Sequence, residues 1–129
     1  MVESPKKRVL VIDDAHLVRR YYRDALETAG FEVDEALNGL EGLEKLLAEP
    51  PDLLVVDINM PRMDGITFLR ALRRQTLPVA ATAALVISTE SGPQDVASAQ
   101  AAGANFYLTK PVKPDVLALH AAMLSGVAT

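Results

Sequence analysis

The chain alternates short apolar runs with longer segments in which apolar and polar residues follow a helical spacing. Three unbroken apolar runs stand out, at residues 9–12, 53–56 and 85–87. Runs this short and this rich in β-branched residues are typical of strands buried on both faces, as the central strands of a parallel sheet are. Two weaker runs, at residues 31–35 and 106–109, predict two further strands.

Three of the segments between these runs place their large apolar residues on one face of a helix. The predicted stripes are Leu17, Val18, Tyr21, Tyr22, Ala25, Leu26 and Ala29 in the first segment, Leu40, Leu43, Leu46 and Leu47 in the second, and Ile66, Leu69 and Leu72 in the third. We expect each stripe to face a core.

The last two helical segments differ in apolar content. Residues 94–102 are rich in alanine and contain only Val96 as a large apolar residue, so we expect this helix to be weakly anchored and able to move. A final helix is predicted from residue 115 to about residue 124. Its expected buried stripe consists of Val116, Leu117, His120 and Leu124. Gly30 and Gly103 follow predicted helices, where a C-terminal cap favours glycine.

Strand and helix therefore alternate five times. This alternation predicts an α/β fold, an open, doubly wound, five-stranded parallel sheet with five helices distributed over both faces. Residues 75–84 are predicted to be a loop that leads into an early start of the fourth strand. No linker or low-complexity segment divides the chain, so residues 1–129 are expected to form one domain.

Composition narrows the function classes. The chain has 13 Lys and Arg residues against 17 Asp and Glu residues, a balance that disfavours a nucleic-acid surface. It contains no cysteine, which excludes a disulfide framework, a thiolate metal site and a thiol nucleophile, and which suits the cytoplasm. Its apolar runs are too short for a signal peptide or a bilayer span, so we expect a soluble, cytoplasmic protein without membrane insertion.

Polar residues follow the apolar runs where each predicted strand ends. These residues are Asp13, Asp14, Asp57, Ser88, Thr109 and Lys110. Because the carboxyl ends of parallel strands lie on one edge of the sheet, we expect the side chains to converge on one site. Three carboxylates suit a hard cation such as Mg²⁺. One carboxylate could then attack a phosphoryl group while the cation and Lys110 neutralise charge.

In combination, four elements resemble the receiver domain of two-component response regulators. They are the Asp13-Asp14 pair, the segment DINMPRMDG at residues 57–65, Ser88, and the Lys110-Pro111 pair. The resemblance covers nearly the whole chain, and the combined spacing is highly specific although each element alone is weak. Within the family, the chain is most similar to the single-domain chemotaxis members. The resemblance implies a flavodoxin-like sheet with strand order 2-1-3-4-5.

The resemblance implies that Asp57 is the phosphoacceptor. It also implies that Asp14 and Asp57 bind Mg²⁺ directly, with the backbone carbonyl of Asn59 as a further ligand. Asp13 would act on the ion mainly through water. Lys110 would pair first with the acid cluster and then with the phosphoryl group.

Two further residues resemble the family's switch. Ser88 would donate a hydrogen bond to a phosphoryl oxygen, and Tyr107 would be the aromatic residue that responds. The Lys110-Pro111 peptide resembles one that is cis in this family. Ser88 stands where threonine is commoner, and Phe106 stands where a small residue is frequent, which bears on the identity of the partner.

For partners, the resemblance implies a sensor histidine kinase or a histidine phosphotransfer protein as the phosphoryl donor. Few residues follow the last predicted helix, so output is expected through phosphorylation-dependent binding of another protein, such as a flagellar motor switch or a further relay protein. A role in chemotaxis is the leading expectation. On this interpretation the protein is not an enzyme but a signalling domain that assists its own phosphorylation and dephosphorylation.

Two other functions compete with this interpretation. A Mg²⁺-dependent phosphatase with an aspartyl nucleophile requires a second Asp two residues after the nucleophile, and Asn59 occupies that position. A receiver-like scaffold that takes no phosphoryl group would not need the acid cluster, Ser88 and Lys110 together.

Several residues also have plain structural interpretations. Asp13 and Asp14 taken alone could be helix N-caps, Asp64-Gly65 is predicted to be a turn that leads into a helix, and Tyr107 could be an ordinary edge-strand aromatic. His16 is expected to be a solvated surface histidine. Six arginines are expected on exposed helix faces: Arg19, Arg20, Arg23, Arg70, Arg73 and Arg74.

Overall fold

The structure is a computed structural model that describes residues 6–126. Five strands form one sheet: β1 Arg8–Ile12, β2 Glu32–Ala36, β3 Leu53–Val56, β4 Ala83–Ser88 and β5 Phe106–Thr109. All neighbouring strands are parallel, and the order is β2-β1-β3-β4-β5, as predicted. The predicted bounds of β3 and β5 are confirmed, and the other three strands differ from prediction by one or two residues.

Five α-helices connect the strands: α1 His16–Thr28, α2 Gly39–Ala48, α3 Gly65–Arg73, α4 Pro93–Ala102 and α5 Pro114–Ser125. The segment before β4 is irregular, as predicted, apart from a short 3₁₀ helix at Val79–Ala81. In the described part of the chain, every helix is too short or too polar to cross a membrane.

The helices cover the sheet unequally. One face carries α2, α3 and α4, whose buried residues include Leu46, Phe68, Leu69, Leu72 and Ala99. The other face carries α1 and α5, whose buried residues include Tyr22, Leu26, Leu117 and Ala121. Both faces of the central strands are therefore excluded from water, which explains why residues 53–56 and 85–87 are unbroken apolar runs.

The predicted stripes were right in part. Tyr22, Leu26, Leu46, Leu69 and Leu72 are buried as expected. Five stripe residues are instead exposed: Leu17, Tyr21, Ala29, Leu40 and Leu47. In α2, a Cβ built on Gly42 would lie 2.5 Å from Ile12 Cδ1 of the sheet, and one built on Gly39 would lie 2.6 Å from the backbone oxygen of Met63, in the loop between β3 and α3. This close approach leaves no room for a wide leucine stripe, so the outer leucines point to solvent.

The expectation that Arg73 lies on an exposed face was wrong. Its guanidinium donates to the carbonyl oxygens of Ala80 (2.9 Å), Thr82 (2.7 Å) and Gly103 (2.6 Å). Gly103 has φ 114° and ends α4, as predicted from its position. Although α4 is rich in alanine, Arg73 therefore anchors its C-terminal end to α3 and to the segment before β4.

Candidate functional site

The carboxyl edge of the sheet is fixed by backbone bonds that continue one residue past the strands. The amide of Asp57 donates to Ile12 O (2.9 Å), the amide of Lys110 to Ser88 O (2.8 Å), and the amide of Asp13 to Ala36 O (3.2 Å). The backbones of Asp13, Asp57 and Lys110 are thus each held by the neighbouring strand. The predicted convergence at this edge follows directly from parallel pairing.

Three carboxylates meet at this edge. One oxygen from each of Asp13, Asp14 and Asp57 lies within 4.8 Å of the other two. Asp13 and Asp57 are buried, with 1% and 8% exposure, whereas Asp14 is exposed. The cluster is therefore open to solvent on the side of Asp14, where an ion could enter.

Lys110 supplies the opposing charge. Its Nζ lies 3.1 Å from Asp13 Oδ2 and 3.6 Å from Asp57 Oδ1. The other oxygen of Asp13 accepts from the amide of Ala15 at 2.9 Å, a local turn bond. The N-cap position of α1 is Ala15, so neither acid is the cap of that helix. The Lys110-Pro111 peptide is cis, as the resemblance implied.

One lysine does not offset the burial and repulsion of the acids. Burial and the negative charges of Asp13 and Asp14 raise the pKa of Asp57 from 3.8 to about 6, against the effects of Lys110 and the Ile58 amide. Tyr22 is buried nearby, and burial together with the charges of Asp13 and Asp57 raises the pKa of its phenol. Without a cation the site is therefore electrostatically strained.

The turn after β3 brings backbone close to Asp57. A Cβ built on Gly65 would lie 2.2 Å from Asp57 O, so this position requires glycine. Asp64 accepts from the Thr67 amide at 2.8 Å and caps α3, which confirms its predicted structural role. The predicted turn at Asp64-Gly65 thus presses the start of α3 against the loop that carries Asp57.

The remaining predicted residues meet around Glu90. Ser88 is buried, and its Oγ accepts from the Glu90 amide at 3.1 Å. The hydroxyl of Tyr107 donates to the Glu90 carbonyl at 2.5 Å, and its half-buried ring packs against the core. The side chain of Asn59, which is exposed, donates to Glu90 Oε1 at 3.3 Å. One residue that the sequence did not single out therefore contacts three that it did.

Two expectations about charged residues on α1 had different outcomes. His16 is exposed, as predicted. Arg19 was expected on an exposed face, but it is only 6% exposed and lies behind Asp13. No local signal separates Arg19 from the exposed Arg20, because the groups that bind Arg19 come from β2 and from the loop after β1.

Residues 9–122 match the model of the response regulator receiver domain. The chain belongs to this family, whose members are phosphoacceptor modules of two-component signalling. The match covers most of the described residues and does not favour the hydrolase alternative.

Individual relatives agree with the family. The chain is 39% identical to the chemotaxis protein CheY of Bacillus subtilis over 110 residues, 84% of this chain and 88% of that one. It is 44% identical over 106 residues to a protein-glutamate methylesterase/protein-glutamine glutaminase of Archaeoglobus fulgidus, of whose length it spans only 30%. The crystal structure of Vibrio cholerae CheY4 superposes with a TM-score of 0.87 at 32% identity, covering 93% of this chain and 99% of that one.

The raised pKa of Asp57 predicts a pH-dependent stability. The folded protein binds this proton more tightly than the unfolded chain, so the contribution of protonated Asp57 is full below about pH 4 and lost as the pH rises through about 6. In buffer without Mg²⁺, Asp57→Asn should stabilise the protein by about 1–3 kcal/mol near neutral pH, and the gain should vanish towards pH 4. Urea denaturation across this pH range measures the effect.

The exposed carboxylate of Asp24 provides the control for that measurement. Asp24→Asn should change stability little and without the same pH profile. A gain from Asp57→Asn that stays constant across the pH range would contradict the electrostatic account. Saturating Mg²⁺ should make the wild type more stable than Asp57→Asn, because only the wild type keeps all three carboxylates that would bind the ion.

Proposed function

We propose that this chain is a single receiver domain in which Asp57 accepts a phosphoryl group and thereby controls the binding of another protein. The observation that carries the proposal is the cluster of Asp13, Asp14 and Asp57 with Lys110 in contact, at the carboxyl edge of a receiver fold. Such a chain assists its own phosphorylation and dephosphorylation and belongs in the cytoplasm.

The donor set fits Mg²⁺, because three carboxylates around one opening offer the hard oxygen ligands that this ion favours. Asp14 and Asp57 would hold it directly, with the backbone carbonyl of Asn59. Asp13 already has a protein partner on each oxygen, which suits a role through water. Bound there, the ion would neutralise charge on the acids and on the phosphoryl oxygens.

In the proposed reaction, a carboxylate oxygen of Asp57 forms a bond to phosphorus while the phosphorus–nitrogen bond of a phosphohistidine breaks. The released imidazole takes up a proton. Lys110 is within reach of Asp57 and balances charge on the transferred group. Asp57 is suited to be the acceptor because it is the most central of the three acids, directly after β3, which lies between β1 and β4.

Phosphorylation of Asp57 tests the proposal directly. With acetyl phosphate and Mg²⁺, the wild type should gain one phosphoryl mass, and hydroxylamine should release it as expected of an acyl phosphate. Asp57→Asn should gain none, and Asp24→Asn should match the wild type. Label that persists in Asp57→Asn would refute the assignment, and steady phosphate release from a monoester would favour the hydrolase instead.

The donor surface is proposed to be a groove beside the site. This groove has a volume of about 380 Å³ and is lined by Leu17, Val18, Tyr21, Tyr22, Lys110, Pro111 and Val112. Lys110 also contacts Asp57, so a helix seated in the groove would bring a phosphohistidine to the acceptor. The side chain of Leu17 is 80% exposed. A docked sensor kinase or phosphotransfer protein would cover this apolar side chain and so remove it from water.

Changing Leu17 tests this donor surface. Leu17→Asn should slow phosphoryl transfer from a phosphorylated histidine phosphotransfer domain by about 10-fold, because an apolar anchor is lost. The rate with acetyl phosphate should stay unchanged. Leu119→Asn, a change at an exposed leucine on α5, is the matched control. Slower transfer in the control but not in Leu17→Asn would place the donor elsewhere.

The conformational change that follows phosphorylation would begin around Glu90. A phosphoryl oxygen on Asp57 would accept a hydrogen bond from the Ser88 hydroxyl, and movement of that hydroxyl would pull on the bond that its oxygen accepts from the Glu90 amide. Tyr107 holds the carbonyl of the same residue, so the two switch residues share one backbone unit. The surface of α4, β5 and α5 would then change, and a downstream protein, for instance in chemotaxis or a further relay, would bind it differently.

Hydrogen exchange measures this switch. Phosphorylation should change protection mainly between residues 88 and 110 and in α5, and little in α1. Ser88→Ala should still accept the phosphoryl group but respond less, because the hydroxyl link is gone. Ser98→Ala, at an exposed position of α4, should respond like the wild type. An undiminished response in Ser88→Ala would show that the signal takes another route.

A further inference from the structure

Arg19 is a buried cation directly behind the acidic cluster. Its Nη1 donates to the carbonyl oxygen of Asp13 at 2.7 Å, and its Nε donates to Glu35 Oε1 at 2.9 Å. The adjacent Arg20 is exposed and forms only a 4.0 Å contact with Asp24. A guanidinium that is withdrawn from water needs such charge-assisted partners, so the geometry of Arg19 is well defined.

Glu35 is itself held from several sides. Its second oxygen accepts from Arg23 Nε at 2.7 Å, and its backbone carbonyl accepts from the ammonium of Lys45. Burial alone would raise the pKa of Glu35, but hydrogen bonds from Arg19 and Arg23 outweigh burial and hold that pKa below its usual value. Glu35 therefore remains charged and keeps Arg19 in place.

On its other side, Arg19 donates to the carbonyl oxygen of the peptide that joins Asp13 to Asp14. The side chain of Asp13 is fixed by Lys110 and by the Ala15 amide, and its own amide is fixed by Ala36. Arg19 fixes the remaining polar group, the Asp13 carbonyl. Rotation of this peptide would change the direction in which the exposed side chain of Asp14 points.

We propose that Arg19, oriented by Glu35, is a positioning residue that sets the direction of Asp14 and thereby the affinity of the acidic cluster for a divalent cation. This inference rests on the proposed function. Arg19 does not touch the ion or the phosphoryl group. It acts through the Asp13 carbonyl, as outer partners of metal ligands commonly do.

The test compares four variants by direct Mg²⁺ titration, followed by NMR, under conditions in which each variant is folded by circular dichroism. Arg19→Met should weaken Mg²⁺ binding by about 10-fold or more, and Glu35→Gln should weaken it less. Arg19→Lys should recover part of the loss, because it keeps the positive charge. The recovery should be incomplete, because an ammonium lacks the fork of donors that reaches both Glu35 and the Asp13 carbonyl. Arg20→Met is the control and should match the wild type.

Kinetics supply a second readout. With acetyl phosphate as donor, the Mg²⁺ concentration for half-maximal rate should rise by the same factor as the dissociation constant, while the rate at saturating Mg²⁺ stays within about 2-fold of the wild type. A residue that only stabilised the fold would lower the unfolding midpoint and leave Mg²⁺ affinity unchanged. That result in Glu35→Gln and Arg19→Lys would overturn the proposal, even if Arg19→Met did not fold.

The two proposals fail in different ways. If the wild type bound Mg²⁺ but took up no phosphoryl group, the proposed function would fall, and the titrations would still decide the role of Arg19. If the wild type were phosphorylated and all four variants bound Mg²⁺ equally well, only the role of Arg19 would fall.

Discussion

The ammonium of Lys110 lies between the carboxylates of Asp13 and Asp57, 3.1 Å from one and 3.6 Å from the other, and this contact lets three acids share one end of the sheet. A single positive charge offsets only part of their repulsion, since the pKa of Asp57 stays near 6. The remaining negative charge would favour the divalent cation of the proposed function. The same close packing of these charged groups therefore determines both the stability of the metal-free protein and the affinity of the site for a metal ion.

Strand order decides which charges can meet. β1 and β3 are neighbours, so Asp13 and Asp57 share one edge, while β4 and β5 bring Ser88 and Lys110 from one side. β2 lies on the other side and brings Glu35, which orients Arg19. Asp13 is consequently held between two cations, with Lys110 on its carboxylate and Arg19 on its carbonyl. A different order with the same strands would separate these groups.

The sequence predicted the features that depend on local pattern and on the geometry of parallel strands. The central strands, the five-fold alternation and the meeting of Asp57 with Lys110 are of this kind. Arg19 and Arg73 were missed because their partners are Glu35 and backbone carbonyls outside their own helices, which leave no periodic signal near the arginines. The exposed leucines of α2 were missed because Gly42 lets that helix approach Ile12 too closely for a wide apolar stripe.

The two ends of α4 differ in how they are held, and this difference bears on where a signal can go. Arg73 binds the carbonyl of Gly103 at the C-terminal end, whereas the N-terminal end is closed by local bonds, from the Gly92 amide to Asp95 and from the Val96 amide to the Gly92 carbonyl. Glu90, two residues before Gly92, is the residue that Ser88 and Tyr107 share. In the proposed switch, a displacement that begins at Ser88 would therefore reach the N-terminal end of α4 first. In the proposed switch the anchored end would serve as the pivot, because moving it would break the partly buried bonds of Arg73.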